Sequence, residues 1–116
     1  MTSKTAGIRG LNPLEIRQNL DLSQERMSYL LHVSAKTLGR WEKSETLPNA
    51  EAKQHLAKLK EIADLVHMVY TPLGVREFLS TPMEVFGGYT ALELIRLGQH
   101  DKVIAALAAD YEGLGY

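Results

Sequence analysis

Lys36, Arg40 and Lys43 are spaced by four and three residues along a stretch that reads as a helix from Ala35 to about Ser44, so they project from one side of it. Arg40 can donate bidentately to guanine O6 and N7, and Lys36 can reach a base or a phosphate. Catalytic chemistry is poorly supplied. There is no cysteine, no His-Glu metal motif and no glycine-rich phosphate loop. His55 and His67 lie on one long helical stretch without the further ligands a metal requires. Asp64 with His67, and His100 with Asp101, read as solvated or satisfied surface groups. Neither an enzyme nor a cofactor is expected.

The basic face needs elements that hold it in position, and residues 22–48 supply them. Ser23 is a helix cap ahead of Gln24–Leu31, where Met27, Leu30 and Leu31 form an apolar stripe and Ser28 is small enough for close helix approach. His32-Val33-Ser34 forms a corner, with Val33 directed to the core and Ser34 capping the next helix. Leu38 and Trp41, three apart, take the buried side of that helix. The opposite side carries Ala35, Lys36, Gly39, Arg40 and Lys43. Two short helices with a tight corner and a basic second helix suit entry into a DNA major groove. The expected DNA-facing set is Ser23, Gln24, Ser34, Ala35, Lys36, Thr37, Gly39, Arg40 and Lys43. Gln24 and Thr37 are assigned to phosphate. A basic helix face alone is often only a solvated face; here the cap, corner, buried tryptophan and paired basic positions fall in one register.

Charge divides along the chain. Residues 1–60 hold ten Lys and Arg against six Asp and Glu, net +4, whereas residues 61–116 hold three against eight, net −5. One half can face phosphate and the other would repel it. The 45% apolar and 23% charged content is that of a globular protein. The opening MTSKTAGIRG lacks the apolar core of a signal peptide, and no apolar run approaches a membrane span, so a cytoplasmic protein without membrane contact is expected.

The remaining segments are helical by period and punctuation. Asn12-Pro13 opens a helix to about Leu20, with Glu15 placed for a capping box. Asn49 caps a long helix from Ala50 to about Tyr70, striped by Leu56, Leu59, Ile62, Ala63, Val66, Val69 and Tyr70. Thr71-Pro72 and Thr81-Pro82 each open a short helix, the second running Met83–Phe86 until Gly87-Gly88 stops it. Thr90 and Glu93 form a capping box, after which Leu92, Ile95, Leu94 and Leu97 pack inward until Gly98. A last helix spans about Asp101–Tyr111, burying Val103, Ile104, Leu107 and Ala108. No alternating strand pattern occurs, so the expected fold is all-α. It comprises a flexible arm (1–10), a helix-turn-helix bundle (11–48), a long connecting helix (49–70) and a small helical domain (71–116).

Leu22-Ser23-Gln24, Val33-Ser34, Thr37, Arg40-Trp41-Glu42 and Pro48 together resemble the Xre/Cro helix-turn-helix repressors. The resemblance implies that the helix opened by Ala35 is the recognition helix. It also implies that Gln24 holds a phosphate at the groove edge and that a homodimer binds a palindromic operator. Two departures stand out. His32 occupies a corner where that family usually has glycine for a positive φ, which histidine tolerates better than most residues. Gly39 costs its helix about 1 kcal/mol relative to alanine.

Phe78-Leu79-Ser80-Thr81-Pro82, Val85-Phe86-Gly87-Gly88, Leu92-Glu93-Leu94-Ile95 and Gly98 are similar to the C-terminal domain of the MbcA/ParS/Xre antitoxins. In that family the domain binds RES-domain toxins, which consume NAD. Ala91 stands where a proline is common, but Thr90 still caps the helix. The resemblance implies an antitoxin that represses its own operon and fills its toxin's NAD cleft with its C-terminal helix and tail. The toxin-facing set is then Arg96, Asp110, Tyr111, Glu112, Leu114 and Tyr116, of which Asp110, Tyr111, Glu112 and Tyr116 are the acidic and aromatic groups that suit a basic cleft. The same tail also fits a plainer role, with Tyr111 closing the core and the rest frayed. The alternative function is a stand-alone transcriptional regulator whose C-terminal half dimerises or senses a ligand.

Overall fold

The computed structural model describes residues 11–113, and within them the protein is all-α, with no strand. Seven α-helices follow in order among these residues: α1 Pro13–Asn19, α2 Gln24–Leu31, α3 Ala35–Glu42, α4 Ala50–Val69, α5 Pro72–Ser80, α6 Ala91–Arg96 and α7 His100–Gly113. A 3-10 turn, Glu84–Phe86, stands between α5 and α6 in place of the expected short α-helix. The expected arm, residues 1–10, and the tail residues Leu114 and Tyr116 lie outside the described residues.

Local chemistry explains the helix starts. Asn12, Ser23, Ser34, Asn49, Thr71 and Thr90 each accept a backbone N–H three residues on, at 2.8–3.2 Å. Each bond satisfies one of the donors that a helix N-terminus leaves unpaired. At Thr90 the box is reciprocal, since the Thr90 N–H also donates to Glu93 Oε1 at 2.8 Å.

The helix ends repeat one device. After α2 the Val33 N–H reaches Ser28 O and the His32 N–H reaches Tyr29 O, with His32 at φ 61°. The same pair of bonds closes α1 around Asp21, α3 around Ser44 and α6 around Gly98. This is the Schellman closure, which requires a left-handed residue just past the helix. Only α6 supplies glycine for it. At His32 the sequence-based expectation of positive φ holds. His32→Val would put a β-branched side chain in the left-handed region, and it is expected to lower stability by about 2 kcal/mol, more than His32→Gly does. Urea unfolding of the two variants measures the difference.

The chain divides into two compact units, residues 1–60 and 61–116, at the place where the net charge changes sign. In the first unit Ile16, Leu20, Met27, Leu30, Leu31, Leu38, Trp41, Leu56 and Leu59 are buried, with α3 packed on both α1 and α2. Burying this apolar surface is the main favourable term in the unit's stability. In the second, α6 packs on α5 and α7 around Val75, Phe78, Leu79, Phe86, Ile95, Val103 and Leu107. Phe78 contacts Tyr70, with ring centroids 5.2 Å apart, and Phe86 edge-on at 6.1 Å.

Several expected core positions differ. Leu97 is 58% exposed because it is the cap residue of α6, turned outward where the chain reverses at Gly98. Val33, Val69, Tyr70, Ile104 and Ala108 are only half-buried. His100, read as a surface group, is buried in the first turn of α7.

Candidate functional site

Ser34 fixes where α3 begins, and the helix period then sets what faces outward. Lys36, Arg40 and Lys43 are all exposed, while Leu38 and Trp41 are buried on the other side. Ala35, Thr37 and Gly39 are half-buried. The Ser34 hydroxyl accepts the Thr37 N–H at 3.0 Å and donates to Thr37 Oγ1 at 2.9 Å, so Thr37 is held at the first turn of α3. Ser23 is exposed, its hydroxyl accepting the Arg26 N–H at the start of α2.

Gln24 meets α3 through two contacts. Its Nε2 donates to Glu42 Oε1 at 2.9 Å, and its amide lies over Gly39, where an added Cβ would stand 3.5 Å from Nε2. Assigned to phosphate from sequence, the amide thus spends one N–H on Glu42 and keeps the other. Gly39 has ordinary van der Waals room for a methyl group, so the structure does not demand glycine there.

Sequence reading missed Arg17 altogether and gave Glu42, quoted only as part of the Arg40-Trp41-Glu42 motif, no role. Arg17 grips the carboxylate with both arms, Nε to Oε2 at 2.7 Å and Nη2 to Oε1 at 3.0 Å, and its Nη1 donates to Leu22 O at 3.1 Å. The fork ties α1 to the end of α3 and to the segment leading into α2. The Glu42 side chain is only 6% exposed. Burial pushes its carboxyl up, but the hydrogen bonds from Arg17 and Gln24 and the guanidinium charge outweigh that and hold it below the ordinary glutamate value. Arg17 is raised in turn, chiefly by its hydrogen bond to Glu42, and stays charged. Beyond that motif, the signal available in sequence was position alone. Arg17 adjoins buried Ile16, and Glu42 adjoins buried Trp41.

The residues expected to meet a protein partner are less gathered. Arg96 is half-buried in the last turn of α6, and Glu112 is exposed near the end of α7. Asp110 Oδ2 accepts the Tyr70 hydroxyl at 3.2 Å, and Tyr111 is half-buried. Burial, with the charge of Asp110 beside it, raises the Tyr70 hydroxyl above its ordinary pKa, so it remains a donor at neutral pH. Among the described residues no group of three or more His, Asp or Glu is placed to hold a metal ion. No described helix is long and apolar enough to cross a membrane.

No family model matches the chain. Among characterised proteins it is similar to the mycobacterial cidal antitoxin MbcA of Mycobacterium bovis and of Mycobacterium tuberculosis. Each is 24% identical over 97 residues, which span 84% of this chain and 86% of the relative. Among solved structures it matches a chain in the crystal structure of the M. tuberculosis MbcT-MbcA toxin-antitoxin complex. There the TM-score is 0.78 at 22% identity, over 90% of this chain and 94% of that one. The two chains share a fold.

Proposed function

We propose that this chain is the antitoxin of a toxin–antitoxin pair and the repressor of its own operon. In this reading residues 11–48 form a helix-turn-helix domain, with α3 as its recognition helix on a palindromic operator bound by a homodimer. The acidic second half neutralises a RES-type toxin by occluding its NAD cleft. The observation that carries the reading is the likeness to MbcA, which runs through both units rather than one.

The geometry around α3 supports the DNA half. Lys36 and Arg40 are exposed and share a face, suited to base edges and phosphate. Gln24 is held beside that face by Glu42, with one amide N–H left for phosphate. Charge supports the other half, since a net of −5 over residues 61–116 suits a partner that binds nucleotide phosphates through basic groups.

The test is co-expression with the protein encoded by the neighbouring reading frame. Growth arrested by that protein is expected to be restored by the full chain, and the two should co-purify and protect the shared promoter in a footprint. Deleting residues 110–116 is expected to abolish rescue while leaving the footprint of the chain alone intact. A footprint without rescue by the full chain would replace the antitoxin reading with that of a stand-alone regulator. Rescue by the truncated chain would take the C-terminal end out of the mechanism.

A further inference from the structure

We propose that the loop Met83–Tyr89 is a preformed docking surface through which Val85 and Tyr89 engage a basic protein partner. The partner is the toxin of the reading above, on which this inference rests. The loop is tied by its own backbone. Met83 N–H donates to Tyr89 O at 3.2 Å, Gly88 N–H to Met83 O at 2.9 Å and Phe86 N–H to Met83 O at 3.0 Å. Gly87 and Gly88 carry φ of 69° and 91°, and an added Cβ would meet nothing within 4 Å at either. What glycine supplies there is the left-handed backbone, not space.

The loop is also anchored from within. Phe86 is buried with its ring edge-on to Phe78, while Val85 and Tyr89 stand 67% and 50% exposed. An apolar side chain and an aromatic ring on a backbone fixed in advance lose little conformational freedom on docking. Such preorganisation lowers the ordering cost of binding.

Charge selects the occupant. The unit bears −5, and Glu84 within the loop, Glu77 on α5 and Glu93 on α6 are all exposed. Two copies meeting through this loop would bring like charges together, whereas a basic surface is drawn to it.

Val85→Ser combined with Tyr89→Ser tests the surface, using calorimetry against the purified protein from the neighbouring reading frame. Both positions are exposed, so circular dichroism and melting temperature are expected to stay at wild-type values, and affinity to fall about tenfold or more. Each single variant is expected to give part of that loss, so the result does not hang on the double variant. Leu47→Ser removes a side chain that is 65% exposed in the first unit and is expected to leave affinity unchanged. Undiminished affinity in the double variant overturns the docking surface and leaves the antitoxin reading standing. A wild-type chain that binds no such protein overturns both. If light scattering shows the double variant alone falling from dimer to monomer with partner affinity intact, a second copy is the occupant and the proposal is wrong.

Discussion

Arg17→Ala is expected to lower the stability of the first unit by about 3 kcal/mol, the lower end of what breaking a buried ion pair costs. The lower end applies because the Arg17 side chain keeps 20% exposure, whereas that of Glu42 keeps 6%. The loss arises from what is left behind, a carboxylate out of water with only the Gln24 amide to satisfy it. Acid dependence distinguishes this cause from lost packing. In the wild type the folded Glu42 value is depressed, so its contribution is present at neutral pH and lost as pH falls through that depressed value. Without Arg17, burial is opposed only by the Gln24 hydrogen bond, so the depression is expected to be lost. The variant's deficit should therefore be greatest near neutrality and shrink as pH falls through and below about 4, the ordinary glutamate range. Urea unfolding of both proteins across that interval measures it. A deficit independent of pH would mean that Arg17 matters for its methylenes rather than its charge. Arg17→Met with Glu42→Leu is expected to restore most of the stability, since apolar replacement of a buried pair is often neutral.

The same pair marks the limit of what is legible in the sequence. Asn12, Ser23, Ser34, Asn49, Thr71 and Thr90 were legible as caps because a cap is a bond between residues three apart. The corner at His32 was legible because it stands where the repressors that the sequence resembles usually have glycine for a positive φ. The left-handed residues Asp21 and Ser44 were not, because neither is glycine, the residue that usually marks that conformation. Arg17 and Glu42 are 25 residues apart, and each alone looks like an ordinary half-exposed charge. Their meeting depends on how α1 packs on α3, which no local pattern encodes. Gln24 carries the same lesson within the candidate site. Its place at the start of α2 was readable, but the carboxylate that fixes its amide belongs to the other end of α3. Leu97 failed for the opposite reason, its apolar type suiting the core stripe while the chain reversal at Gly98 turned it outward.

Lys36→Ala with Arg40→Ala is expected to weaken binding to the chain's own promoter about a hundredfold while leaving stability within about 0.5 kcal/mol of wild type. Both side chains are exposed and Ser34 holds the helix start independently of them, so the fold has no use for either charge. The two losses differ in kind. A guanidinium on guanine O6 and N7 contributes about 1–3 kcal/mol of discrimination against the wrong base. Arg40→Ala should accordingly bind operator and scrambled DNA with more nearly equal affinity. An ammonium on phosphate releases a counterion, so Lys36→Ala should weaken both DNAs alike and reduce the slope of log K against log salt by about 1. Titrations at several salt concentrations, with both DNAs and all three variants, separate these outcomes. Gly39→Ala belongs in the same series. The structure has room for the methyl group and the helix gains about 1 kcal/mol from alanine, so stability should rise. A simultaneous loss of operator affinity would mean that the space above Gly39 is taken by DNA. Unchanged affinity of the Lys36 and Arg40 variants would leave the basic face of α3 as a solvated surface and remove DNA from the function of this chain.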